Sequence, residues 1–263
     1  MRKLALALML ATTPAMAASE KINSDIKTPL DDPFDSGMWD YQQMRLLGNP
    51  EKIAFDERVK VFAPHSAEDA FEVPVKVDAT EIPDVEKILV SVDYGPIPKI
   101  LTFYPKEAEP KFSFRFKIDQ ATPVRVSVQT KDGAWHVGGI QIDAMGGGCT
   151  APALAYASDD WEEKLGEVRG RMWAKTGRVR VIVDHPMDTG LADGIPVFIV
   201  EDIKLEGPNN REMARLELFE PVDEDPAFTF HFPKGTLTDA IRVVGRDNNG
   251  NEIDATIPGP NTQ

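Results

Sequence analysis

The chain repeats itself, and the repeated unit has the period of a β-strand. Phe103-x-Pro105-x-x-x-Glu109-Pro110-x-Phe112-x-Phe114-x-Phe116 returns as Phe219-x-Pro221-x-x-x-Asp225-Pro226-x-Phe228-x-Phe230-x-Phe232, each position 116 further on. Val124-Arg125-Val126 returns as Ile241-Arg242-Val243, and Val73-x-Val75-x-Val77-Asp78 is echoed by Val179-x-Val181-x-Val183-Asp184. Chance can supply one run of alternating phenylalanines, but the matched Phe-x-Pro and acid-Pro flanks point to two copies of one unit. Alternation places successive side chains on opposite faces, so each unit buries one face of its strands and wets the other. Ile88, Val90 and Val92 continue the pattern, and Asp132-Gly133 supplies a hairpin turn into Trp135 to Ile142, as Asn248-Asn249-Gly250 does in the second copy. Seven or so short strands per copy describe an immunoglobulin-like sandwich. The expected fold is all-β: two tandem immunoglobulin-like β-sandwiches joined by a Gly-rich loop and a short helix.

The flanking segments differ. Arg2 and Lys3 precede the apolar run Leu4 to Ala11, and Ala15-Met16-Ala17 offers a small-x-small cleavage site. This is the pattern of a Sec-type signal peptide over residues 1–17, which predicts a periplasmic protein beginning at Ala18. The sandwich expected over 18–145 opens with a short helix capped by Ser36, its stripe formed by Met38, Tyr41, Met44 and Leu47 before Gly48. Residues 146–175 form an arm and linker. Here Gly146, Gly147 and Gly148 precede Cys149, and Ser158 caps a helix with Trp161, Leu165, Val168 and Met172 on one stripe. The second sandwich occupies 176–263.

Chemistry is scarce. His65, His136, His185 and His231 stand singly, without metal-ligand spacing, and no nucleophile elbow, phosphate loop or dinucleotide fingerprint occurs. No catalytic residue, metal or cofactor is expected. With 43 acidic against 29 basic residues, the chain would repel nucleic acid and anionic lipid and be steered toward a basic partner, unless the charge serves solubility alone. That leaves Cys149, the only cysteine. An odd thiol in an oxidising compartment is a packed residue, a disulfide between two copies, or an attachment point presented to other proteins. Three preceding glycines favour an exposed, mobile thiol. No Lys, Arg or His lies between Val137 and Gly148, so its pKa should stay near the ordinary value.

These residues resemble the SoxYZ sulfur-carrier family, with both subunits fused in one chain. Residues 28–150 resemble SoxY, whose arm ends Gly-Gly-Cys-Gly-Gly; Gly147-Gly148-Cys149 matches its first half. Residues 176–258 resemble SoxZ through Arg178-Val179-Arg180-Val181 and His185-Pro186-Met187-x-Thr189-Gly190. The resemblance implies that Cys149 covalently holds a sulfur intermediate, with Gly146, Gly147 and Gly148 as a swinging arm, and that the carrier catalyses nothing. Its implied partners are periplasmic sulfur-oxidising enzymes of thiosulfate oxidation. The fused form also resembles carriers associated with quinoprotein (PQQ-dependent) dehydrogenases. A non-covalent accessory module for such a system is the alternative. Two departures stand out: Thr150-Ala151-Pro152 replaces the second Gly-Gly, and the arm is internal instead of a free terminus.

Overall fold

A computed structural model describes residues 32–260, so the expected signal peptide lies outside the described residues. The N-terminal half contributes β1 (Ile53–Phe55), β2 (Lys60–Phe62), β3 (Val73–Asp78), β4 (Val85–Val92), β5 (Lys99–Tyr104), β6 (Lys111–Phe116), β7 (Thr122–Thr130) and β8 (Trp135–Ile142). The C-terminal half contributes β9 (Val168–Trp173), β10 (Arg178–Val183), β11 (Asp188–Thr189), β12 (Val197–Phe198), β13 (Val200–Gly207), β14 (Arg211–Leu218), β15 (Ala227–His231), β16 (Ile241–Asp247) and β17 (Glu252–Ile257). The predicted alternating runs are all strands, and Gly133 and Gly250 take the positive φ that their turns require.

The two sandwiches share both of their sheets. One sheet runs β1-β8-β7-β4-β5-β14-β13-β16-β17, the other β2-β3-β6-β15-β10-β9. The seams are the repeated strands themselves: β5 pairs antiparallel with β14, and β6 with β15. Ser113 pairs with Thr229, its own counterpart in the repeat, and Phe112 pairs with Phe230, the counterpart of Phe114. The halves are therefore related by a pseudo-twofold axis through that pair, the arrangement expected when two copies of one fold associate isologously. The phenylalanine ladder crosses the seam, with the Phe103 ring centroid 4.6 Å from Phe112 and 5.9 Å from Phe230. Phe112, Phe114, Phe116, Phe228, Phe230 and Phe232 are all buried between the sheets. One continuous core serves both halves.

Both predicted helices need correction. The first is a short α-helix, α1 (Trp39–Gln42), running into a π-turn at Gln43–Leu47 that Gly48 ends in the left-handed region. Its buried face carries Trp39, Gln42 and Gln43, while Tyr41 and Met44 are exposed. Trp39 points inward because it covers Arg125 on β7, its ring 4.6 Å from the guanidinium carbon. The second helix, α2, is one turn (Trp161–Lys164) without a side-chain cap from Ser158. Gly166 (φ +77°) ends the segment, and the next apolar residues, Val168 and Met172, belong to β9. The helical spacing of those two residues was coincidental; their partner is β10, along which β9 lies antiparallel.

Candidate functional site

Cys149 lies where the two halves meet, and it is buried. Its relative exposure is 3%, which overturns the expectation of a thiol displayed to solvent. The glycines explain how the chain reaches this seat. Gly146 and Gly147 both adopt φ +94°, a conformation costly for any residue with a side chain. Gly148 follows in a slot so narrow that an added Cβ would lie 2.1 Å from the Ala70 carbonyl oxygen and 2.7 Å from that of Ile118. The Gly148 N–H donates to the Ile118 carbonyl across 3.1 Å. In this conformation the three glycines let the arm dock closely on the N-terminal half rather than swing free of it.

The C-terminal half closes the seat. The Thr189 hydroxyl donates to the Cys149 carbonyl, and the Asp188 carboxylate accepts from the Ala153 N–H at 3.1 Å and from the Tyr156 hydroxyl. Glu224 accepts from the Leu154 N–H at 2.7 Å. Lys117, one residue beyond β6, sends its ammonium to the Met187 carbonyl at 2.6 Å, while its own carbonyl faces the Cys149 sulfur at 3.6 Å. The conspicuous His185 to Gly190 stretch thus forms a wall of the cysteine's seat. Met187, Asp188 and Thr189 were not foreseen in that role, nor was Lys117. A contact between residues so far apart in sequence leaves no periodic trace.

Electrostatics keep the thiol inert here. Burial, reinforced by the Asp119 carboxylate and only partly opposed by Lys117, pushes the Cys149 pKa up to about 12. The expectation of an ordinary value fails because desolvation penalises a thiolate regardless of the local sequence. Lys117 is itself shifted downward by burial, and burial drives the neighbouring Asp223 up to about 8 against the pull of Arg115. Arg115 Nε approaches Asp223 Oδ2 to 2.7 Å in ion-pair contact, without the alignment of a hydrogen bond.

Cys149 is buried but falls outside the continuous apolar cluster, and its loop is held by a handful of hydrogen bonds to both halves. Beside the loop, a cleft of about 360 Å³ is lined by Lys117, Ala151, Pro152, Leu154, Arg115 and Arg180. A disulfide between two copies would need the arm to leave its seat first, since the docked sulfur faces Lys117 and not solvent.

The histidines fall separately. His136 Nδ1 lies 2.8 Å from Asp56, His231 sits on the outward face of β15, and His185 is buried with Nε2 3.6 Å from Asp247. Among the described residues no three groups of metal-ligating type converge. His185 Nδ1 accepts the Met187 N–H at 3.0 Å and so braces the wall of the seat. Burial lowers its pKa to about 4, against the opposing pull of Asp247. A depressed histidine pKa means that its stabilising contribution is whole above the unfolded value of 6.5 and is lost as pH falls through about 4. Unfolding measured across that window should show a decline of roughly 2–3 kcal/mol that His185→Gln lacks.

Comparison with known proteins follows the same division. Residues 43–149 match the family described as sulfur oxidation protein SoxY, and residues 170–258 match sulphur oxidation protein SoxZ. The two matches cover most of the chain, in tandem. This chain is a SoxY–SoxZ fusion. A solved structure with similarity to it is the sulfur carrier protein SoxY from Chlorobium limicola f thiosulfatophilum, at 22% identity and a TM-score of 0.36, over 41% of this chain and 96% of that one. No curated protein matches. The SoxY match ends at Cys149 itself, and the SoxZ domain supplies Met187, Asp188 and Thr189 to the seat.

Proposed function

We propose that the protein is a sulfur-compound carrier that binds its cargo covalently on Cys149, stores the empty thiol in the seat between its SoxY and SoxZ domains, and releases the arm for loading. The observation that carries this reading is the position of Cys149: the last residue of the SoxY domain match, at the end of a glycine arm, in a loop hydrogen-bonded to both halves and outside the continuous apolar cluster.

The seat suits a bare thiol and no more. A thiosulfate-derived group joined through an S–S bond brings bulk and negative charge, for which a position 3% exposed and facing Asp119 has no allowance. Loading therefore favours the undocked arm, and discharge lets it return. Forming that bond removes the thiol proton and two electrons, which an enzyme partner must accept; the carrier supplies position only. Both domain families are named for sulfur oxidation, which favours sulfur-oxidising enzymes over a quinoprotein system as partners. The signal-like N-terminus favours the periplasm as the place of work.

Intact mass of the protein isolated from thiosulfate-oxidising cells, with and without reductant, tests the reading. The expected result is an added sulfur-containing mass on the peptide bearing Cys149, removed by reductant and missing from Cys149→Ser. Unmodified thiol throughout would contradict it. Cys149→Ser should also lower stability by about 1 kcal/mol, since it sets a hydroxyl in a desolvated seat with one carbonyl acceptor; thermal unfolding reads this.

A further inference from the structure

The chain is acidic overall, yet one face of the fold is not. The outward residues of the six-stranded sheet include Lys76 on β3, Arg178 and Arg180 on β10 and Arg171 on β9, all exposed. Arg171 sits directly opposite Arg180 in the ladder, and Arg178 is opposite His231. Like charges facing each other across strands are destabilising. Among the described residues none of these four cations has a carboxylate within ion-pair distance. Their neighbours on the same sheet are paired, Lys111 with Asp78 at 2.7 Å and Arg115 with Glu72 at 2.9 Å. On the other sheet Arg242 pairs with Asp254 at 2.6 Å, Arg246 with Glu201 at 3.3 Å and Arg215 with Glu217 at 3.4 Å.

The four unpaired cations frame a shape as well as a charge. Arg171 and Arg178 flank the Trp173 ring at 5.1 and 3.9 Å, and Lys76 lies 5.0 Å from the half-exposed Phe62. Between them is a depression of about 480 Å³ lined by Phe62, Pro74, Lys76, Arg115, Arg180 and Thr229. Arg115 and Arg180 also line the cleft beside the Cys149 loop, where Glu72, Glu224 and Asp225 join them and the basic face ends. Aromatic and arginine groups held ready on an exposed surface are those that dominate protein–protein contacts.

We propose that this outward face of the six-stranded sheet is the docking surface for a partner protein bearing an acidic patch, contacted by Lys76, Arg171, Arg178 and Arg180. Such a partner is the opposite of the basic one that total composition alone suggests. It favours a protein over a membrane or nucleic acid, because an extended polyanion would also meet the acidic remainder of the chain, whereas a local patch would not. The surface stands whether or not Cys149 carries sulfur.

Amide NMR of the full chain, titrated with a hexaglutamate peptide as a short acidic probe, tests it. Shifts are expected on β3, β9, β10 and β15, weakening with salt. Arg171→Glu/Arg180→Glu should weaken binding at least about tenfold, while Arg246→Glu on the other sheet should not. Lys76→Glu, on a separate strand, gives the same reading if the double variant unfolds. Absence of localised shifts, equal loss in Arg246→Glu, or tighter binding of phosphatidylglycerol vesicles or of thiosulfate than of hexaglutamate would each overturn the proposal.

Discussion

Replacing Arg125 with methionine is expected to destabilise the protein by about 3–5 kcal/mol, the usual cost of breaking a buried ion pair from one side. For a chain of this size that lowers the melting temperature by roughly 10 °C. Arg125 is completely buried. Its Nε donates to both Asp93 oxygens at 3.0 and 3.1 Å, and its terminal nitrogens donate to Asp32 at 2.6 and 2.8 Å. Phe34, Trp39 and Phe55 close around the guanidinium at 4.7, 4.6 and 5.6 Å. Methionine would keep much of the stem's packing but strand the Asp93 carboxylate, whose side chain is also fully buried. Removing that charge as well, in Arg125→Met/Asp93→Leu, should restore at least half of the loss, because the penalty lies in the unpaired charge and not in the missing pair. Thermal unfolding followed by circular dichroism distinguishes the two variants. Equal melting temperatures would show that the cluster matters through shape alone.

The same arginine marks the limit of what the sequence discloses. Val124-Arg125-Val126 and Ile241-Arg242-Val243 are one motif by pattern, and both form strands in the same sheet. Arg242 is exposed and pairs with Asp254, as alternation predicts. Arg125 is buried because residues 32 to 48 fold over its end of the sheet, and no local pattern announces that cover. Strands, turns and the duplication were legible because period two and turn chemistry are local. The seam was half legible: the phenylalanine ladder signalled two cores, but only pairing of β5 with β14 and β6 with β15 makes them one. At the candidate site, the lone cysteine was legible and its burial was not. Glycines beside a cysteine suggested freedom, whereas Gly148 serves a close approach of backbone to backbone.

That difference has a consequence at Gly148 itself. Gly148→Ala should expel the arm, since its Cβ would meet the Ala70 and Ile118 carbonyl oxygens, backbone atoms that cannot step aside cheaply. The Cys149 alkylation rate should rise at least about tenfold, corresponding to a shift of ~1.4 kcal/mol in the opening equilibrium. Gly147→Ala meets nothing within 4 Å and bears only the strain of φ +94°, so it should have the smaller effect. An unchanged rate in Gly148→Ala would mean that the slot is not what holds the arm.

The docked thiol is tested most directly by the rate at which Cys149 of the native chain reacts with iodoacetamide at pH 8, set against the same reaction in denaturant. With its pKa raised from 9.0 to about 12, the seated thiol should react roughly 10²–10³-fold more slowly than the unfolded one, as little thiolate exists until the arm lifts. Native and unfolded rates within a factor of about two would contradict the account: the sulfur would then be open to solvent, and the seat between the SoxY and SoxZ domains would store nothing.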